Sequence, residues 1–252
     1  MSVSTSDRGA ARLIEWDRQA RRNAWDLDTM TAIADAVEAA GADPAVRCLV
    51  LRGAGDHFSA GDDLQSAIEA DSAAWSATIE GFQRLTRVVL AAPVPAIAAI
   101  DGVCVGGALE FAASCDLRLL TNRVRLLTPE VTIGLVASNA GTLLLPEVLG
   151  ESAARELLLG GRERDAAWAR EHGFATEMVA PAELDARIDH WVEVFAGNSR
   201  AAVAATKSML NERFGDLLPA AMDRETHHCV RLFDEEDART ALREFAERRG
   251  SR

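Results

Sequence analysis

A carboxylate beside a glycine turn is the first chemistry this sequence offers. Glu110 lies just beyond Gly106-Gly107, within the stretch VPAIAAIDGVCVGGALEFAASCD that runs from Val94 to Asp116. The stretch begins as an apolar run bounded by Pro93 and Pro95, which reads as a buried strand. It breaks at Asp101-Gly102, and after the glycine pair the segment Ala108 to Cys115 is rich in helix formers. Strand, glycine turn and helix N-terminus in that order present unpaired N–H groups and a partial positive charge to an oxyanion. Glycine also lets a ligand approach the backbone closely. Taken alone, the glycine pair reads first as a tight packing turn. A second small-residue turn, HFSAGDDL from His57 to Leu64, again places a glycine just before a helix.

The elements around these turns define the fold class. Ala11 to Trp16 reads as a strand and Asp17 to Asn23 as a polar segment. From Leu27 to Ala40 the apolar residues Met30, Ile33, Ala34 and Val37 recur at helical spacing, with Asp26 or Asp28 as the cap. Gly41 to Pro44 ends that helix, and Val46 to Leu51 is a β-type run. Strand, helix and strand in repetition favour an α/β class. Gln65 to Leu90 reads as a polar, helical insertion of the kind that often covers a ligand site. Leu117 to Thr121, Val124 to Leu127 and Phe174 to Val179 read as strands, Ala137 to Gly141 as a small-residue loop, and Leu143 to Val148 as an apolar turn or short helix. From Ala182 onward the pattern is helical, broken at Gly197-Asn198 and Gly215. The composition shift near Pro181 divides the chain into residues 1–181 and 182–252.

Composition narrows the function. A chain of 252 residues, 48% hydrophobic and 26% charged, supports a sizeable core. A net charge of −12 disfavours a nucleic-acid partner and requires local arginine or lysine for any phosphate-bearing substrate. No apolar run reaches the roughly twenty residues a membrane helix needs, and MSVSTSDRGA lacks a leader pattern, so no membrane association is expected and the cytoplasm is the expected compartment. Cys48, Cys104, Cys115 and Cys229 are widely spaced and read as reduced core residues, and neither they nor the five histidines show metal-ligand spacing. Lys207, the only lysine, reads as a surface charge.

The pieces HFSAGDDL, IDGVCVGGALEFAASCD and LLTPEVTIGL resemble, in order and spacing, the crotonase superfamily, the enoyl-CoA hydratase/isomerase family. The resemblance runs from about Leu13 into the C-terminal helices. It implies a spiral of repeated ββα units with a C-terminal helical trimerisation region, in homotrimers or dimers of trimers. It also implies an acyl-CoA substrate, with no cofactor beyond the coenzyme A the substrate carries and no metal. On this resemblance the N–H groups of Asp62 and Gly107 form an oxyanion hole for the thioester oxygen. Glu110 and Glu130 match the two catalytic glutamates of family hydratases. Two carboxyls on one water can add it across an α,β-unsaturated thioester if one of them stays protonated. The CoA segment matches Arg22 and Ala24 together with Ala60, Asp62 and Leu64, and Trp75 and Ser138 are placed at the acyl pocket. Three positions depart from the pattern: Asp62 brings a carboxylate to the oxyanion turn, Ala108 replaces a glycine, and Ala137-Ser138 replaces a Pro-Gly that helps hold the water. These departures keep open double-bond isomerisation, thioester hydrolysis, or acyl-CoA binding without turnover.

Overall fold

The computed structural model describes residues 2–250. Strands β1 (Val3–Arg8), β2 (Ala11–Trp16) and β3 (Cys48–Gly53) begin a six-stranded sheet that continues through β4 (Ala96–Ile100), β6 (Leu117–Thr121) and β9 (Glu177–Val179). The order is β1-β2-β3-β4-β6-β9, parallel except for the β1/β2 hairpin. A second, three-stranded sheet joins β5 (Val103–Val105), β7 (Arg125–Leu127) and β8 (Arg164–Asp165).

Side chains on β3 and β4 alternate between two apolar layers, as a strand covered on both faces requires. Leu49, Leu51, Ala98 and Ile100 face the main core, which holds α1 (Leu27–Ala42), α3 (Ser72–Ala91), α4 (Gly107–Ser114) and α5 (Gly141–Leu149). Cys48, Val50, Ile97 and Ala99 face the opposite layer, closed by Leu184, Ile188 and Val192 of α8 (Leu184–Gly197). α6 (Glu151–Gly160) and α7 (Ala166–Glu171) complete the run between β7 and β9. α9 (Arg200–Glu212), α10 (Leu217–Phe233) and α11 (Glu236–Gly250) end the chain. α11 packs on α2 (Leu64–Glu69) and on the 3-10 turn Glu130–Ile133.

The expected α/β order is present, with two additions. β1 is a polar edge strand, exposed over most of its length and therefore without a core-facing pattern to read. The apolar segment at Leu143 to Val148 is the interior of α5, a full helix that tolerates Pro146. All four cysteines are buried and unpaired. Among the described residues no helix is long and apolar enough to cross a membrane.

Lys207 is not a surface charge. It is 5% exposed, and its Nζ donates to Val89 O at 2.8 Å, Val94 O at 3.1 Å and Asp116 Oδ2 at 2.7 Å. It thereby ties α9 to the end of α3 and the start of β4, satisfying carbonyls that the helix terminus leaves open.

Candidate active site

The two glycine turns are brought together by backbone pairing. The Ser59 N–H donates to Val103 O and the Val105 N–H to Ser59 O, each at 3.1 Å, which lays the 57–64 segment alongside β5. On its other side the Trp25 N–H donates to Gly61 O at 2.8 Å and the Asp63 N–H to Trp25 O at 2.9 Å. Gly61 adopts φ +85°, and a β-carbon there would lie 2.6 Å from Val105 O. Only glycine lets the turns touch so closely. Gly107 opens α4, where a β-carbon would stand 2.5 Å from the Phe82 ring. The N–H groups of Asp62 and Gly107 have no hydrogen-bond partner among the described residues.

Both turns wall one narrow cavity of about 70 Å³. Ala60, Leu64, Trp75, Glu130 and Ser138 also line it, and Leu242 and Phe245 of α11 close it. The 65–90 segment does cover this site: α3 supplies Trp75, Ile79 and Phe82 to its wall. Trp75 stacks on Phe233 of α10, with ring centroids 4.7 Å apart and planes 8° from parallel. Ser138 turns its carbonyl to Gln83 Nε2 at 2.9 Å. Arg22 and Ala24 are not among the residues that line the cavity. The Arg22 carbonyl accepts the Ala60 N–H at 2.9 Å, and the buried Ala24 accepts Arg18 Nη1 at 2.6 Å.

Glu130 enters the cavity wall because Gly106 has no side chain: a β-carbon at Gly106, whose φ is +57°, would lie 2.7 Å from Glu130 Oε1. The residue is partly exposed as a whole, yet Oε2 is enclosed and has no partner. Burial pushes this carboxyl up to about 7, its own backbone N–H opposes, and the charge of Glu225 adds to the rise. Glu110 sits deeper, 1% exposed. Its Oε2 accepts the Asn139 N–H at 2.7 Å, while Oε1 is enclosed without a partner. Its carboxyl lies well above the usual range through burial, then through Glu130 and Glu225, against the hydrogen bonds from Asn139 and Ser138. Burial raises both carboxyls and the charge of Glu130 raises Glu110 further, an arrangement that favours keeping a proton on the pair.

Asp62 meets its electrostatic difficulty in a similar way. Among the described residues no arginine is shown paired with it, and Arg18 and Arg21 both bond Asp63, at 2.8 and 2.7 Å. Asp62 Oδ2 is enclosed and unpaired, and burial raises its carboxyl well above the normal value, helped by Asp63 and Asp26. In its protonated form this acid does not oppose a negative charge developing at its own N–H.

Glu225 is the residue that motif reading missed. It is 4% exposed, on the face of α10 that also buries Ala221, Met222, Cys229 and Phe233. The signal was present as one acid within an apolar helical stripe, a pattern that demands a buried partner. Among the described residues no cluster of histidine, cysteine and carboxylate is arranged to hold a metal.

A family model described as enoyl-CoA hydratase/isomerase matches residues 8–252. A crotonyl-CoA hydratase of Syntrophomonas wolfei is 31% identical over 92% of this chain and 90% of its own. A solved enoyl-CoA hydratase/isomerase from Xanthobacter autotrophicus superposes with a TM-score of 0.88 at 28% identity, covering 98% of this chain and 93% of its own. An enoyl-CoA hydratase structure from Bacillus halodurans shares the fold at a TM-score of 0.91 and 22% identity, over 97% of this chain and 100% of its own.

Proposed function

Because the chain belongs to the enoyl-CoA hydratase/isomerase, or crotonase, family, we propose that it adds water across the α,β double bond of an enoyl-CoA thioester. The observation that carries this reading is the enclosed carboxyl pair, each member with one oxygen free: Glu130 lines a cavity walled by two unengaged N–H groups, and Glu110 is the buried acid whose carboxyl it raises. The N–H groups of Asp62 and Gly107 receive the thioester oxygen. As the oxygen of water bonds to Cβ, the π electrons move through Cα to that oxygen, and its growing charge strengthens both hydrogen bonds. Donors fixed in advance in this way are worth about 3 kcal/mol each in acyl chemistry. The ionised member of the Glu110/Glu130 pair takes the proton that water loses, and the protonated member supplies the one that Cα gains. Every group in this cycle is a side chain, a backbone amide or water.

Coenzyme A would run from the cavity mouth past Ala60, Leu64 and Ala24, with Arg22 toward its phosphates, and Trp75 and Ser138 would bound the acyl group. The domain division expected at Pro181 fits a catalytic unit followed by helices that cover the pocket and join copies of the chain. Met209 and Leu210, each 63% exposed, and Leu217, 55% exposed, support a homotrimer or dimer of trimers built on α9 and the start of α10.

The test is loss of enoyl-thioester absorbance with crotonyl-CoA and a longer enoyl-CoA, for the native chain and for Glu110→Ala and Glu130→Ala. Hydration by the native chain, with each variant slower by on the order of 100-fold or more, is expected. A native chain that binds these thioesters and leaves the double bond intact would refute it.

A further inference from the structure

The segment 137–142, a loop that runs into the first two residues of α5, supplies the Asn139 N–H that donates to Glu110 Oε2. Ala140 in this loop has φ +59°, a left-handed conformation that an alanine adopts only at a cost of about 1 kcal/mol or more. Something outside the loop must impose it. Glu225 Oε2 accepts the Ala140 N–H at 2.6 Å, and Oε1 accepts the Thr142 N–H at 2.8 Å and the Thr142 hydroxyl at 2.5 Å. These donors belong to the first turn of α5, where open N–H groups favour a carboxylate. Gln83 of α3 holds the other end of the loop through Ser138 O, and is itself braced on α10 by Thr226 Oγ1 at 2.8 Å.

We infer that Glu225, which does not line the cavity, is a positioning residue for Glu110: its two oxygens fix the 137–142 loop in the only shape that presents the Asn139 N–H to Glu110. The inference rests on the two-carboxylate reading above. It gives α10 a part in the reaction geometry beyond that of a cover. The charged groups on which Glu225 bears are Glu110 of α4 and Glu130 of the 3-10 turn. α5 faces it with Thr142, and α3 reaches its neighbours on α10 through Gln83. Its own charge therefore also contributes to the raised state of both acids.

Glutamine is close to glutamate in volume, but it offers one acceptor oxygen where three donors converge, and its amide group would point N–H at N–H. Glu225→Gln is thus the decisive variant, with Glu225→Ala beside it. For Glu225→Gln the expectation is faster amide hydrogen exchange confined to the 137–142 peptide. The enoyl-CoA hydration assay should show kcat lower by on the order of 100-fold with KM nearly unchanged, as a small misplacement of a reacting group produces. Both limbs of its pH profile should move to lower pH, because a charge that raised the acids is gone. Native exchange in the loop, or loosened exchange with native kcat and pH limbs, would overturn the inference. Glu110→Ala measured in parallel separates the two failures. If that variant keeps the native rate, the two-carboxylate reading is wrong, while the exchange data still decide whether Glu225 sets the loop.

Discussion

Replacing Glu130 by glutamine should remove a pH dependence from the protein's stability. In the fold this carboxyl is raised from 4.5 to about 7, chiefly by burial, so the folded state keeps a proton that the unfolded chain releases. Its contribution to stability is therefore full below pH 4.5, declines as pH rises from there, and is lost once pH passes about 7. The full difference, 7 − 4.5, is about 2.5 pH units, or about 3 kcal/mol at 1.36 kcal/mol per unit. Part of that is already gone at pH 5, so about 2.5 kcal/mol remains to be lost between pH 5 and pH 8.5. Urea unfolding of native protein and Glu130→Gln across that range reads this contribution together with the part of the Glu110 rise that Glu130 causes. The native protein should lose about 2.5 kcal/mol more than the variant. A native-minus-variant difference that stays flat across the range would refute the placement of this carboxyl in an enclosed, unpaired position.

Two further outcomes follow from single contacts. Lys207→Met leaves Asp116 and two carbonyls without their shared donor and should cost about 3 kcal/mol in urea unfolding, with hydration per folded molecule retained; a loss near zero would contradict a tie at 5% exposure. Gly107→Ala drives a β-carbon against the Phe82 ring and should lower the hydration rate at least tenfold, with partial recovery in the double variant Gly107→Ala, Phe82→Leu; equal rates in both variants would show that the ring is not the obstacle.

Which parts of this arrangement were legible in the sequence follows from how locally each is encoded. The helix at Leu27 and the strands at Ala11 and Val46 announce themselves through spacing that depends on near neighbours only. The glycine turns at 61 and 107 were equally visible, since glycine is required where another backbone or a ring stands in the place of a side chain. Long-range pairings left no such trace. The clamp of Glu225 on Ala140 joins residues 85 positions apart, and the tie of Lys207 to Val89 joins residues 118 apart. A lysine in a helix of mostly exposed residues looks like any other charge until the carbonyls it reaches are in place. Asp62 shows the same limit from another side. Its position beside the oxyanion turn could be read in sequence, but the enclosure that raises its carboxyl depends on the packing of the whole site.

Each of the two glutamates lies against a glycine. A β-carbon at Gly141 would come within 2.8 Å of the Glu110 carboxyl carbon, and one at Gly106 within 2.7 Å of Glu130 Oε1. The acid and the bare backbone opposite it therefore occupy one volume between them, and neither position is free to vary alone. In a lineage that has given up Glu110, a side chain at residue 141 becomes harmless, and small residues there can accumulate by drift. Once one has, restoring the glutamate places a carboxyl into occupied space, so the way back requires two changes of which the first is damaging. The contact would act as a ratchet: a descendant that lost this acid and gained a side chain at residue 141 would be held in its new state by a methyl group.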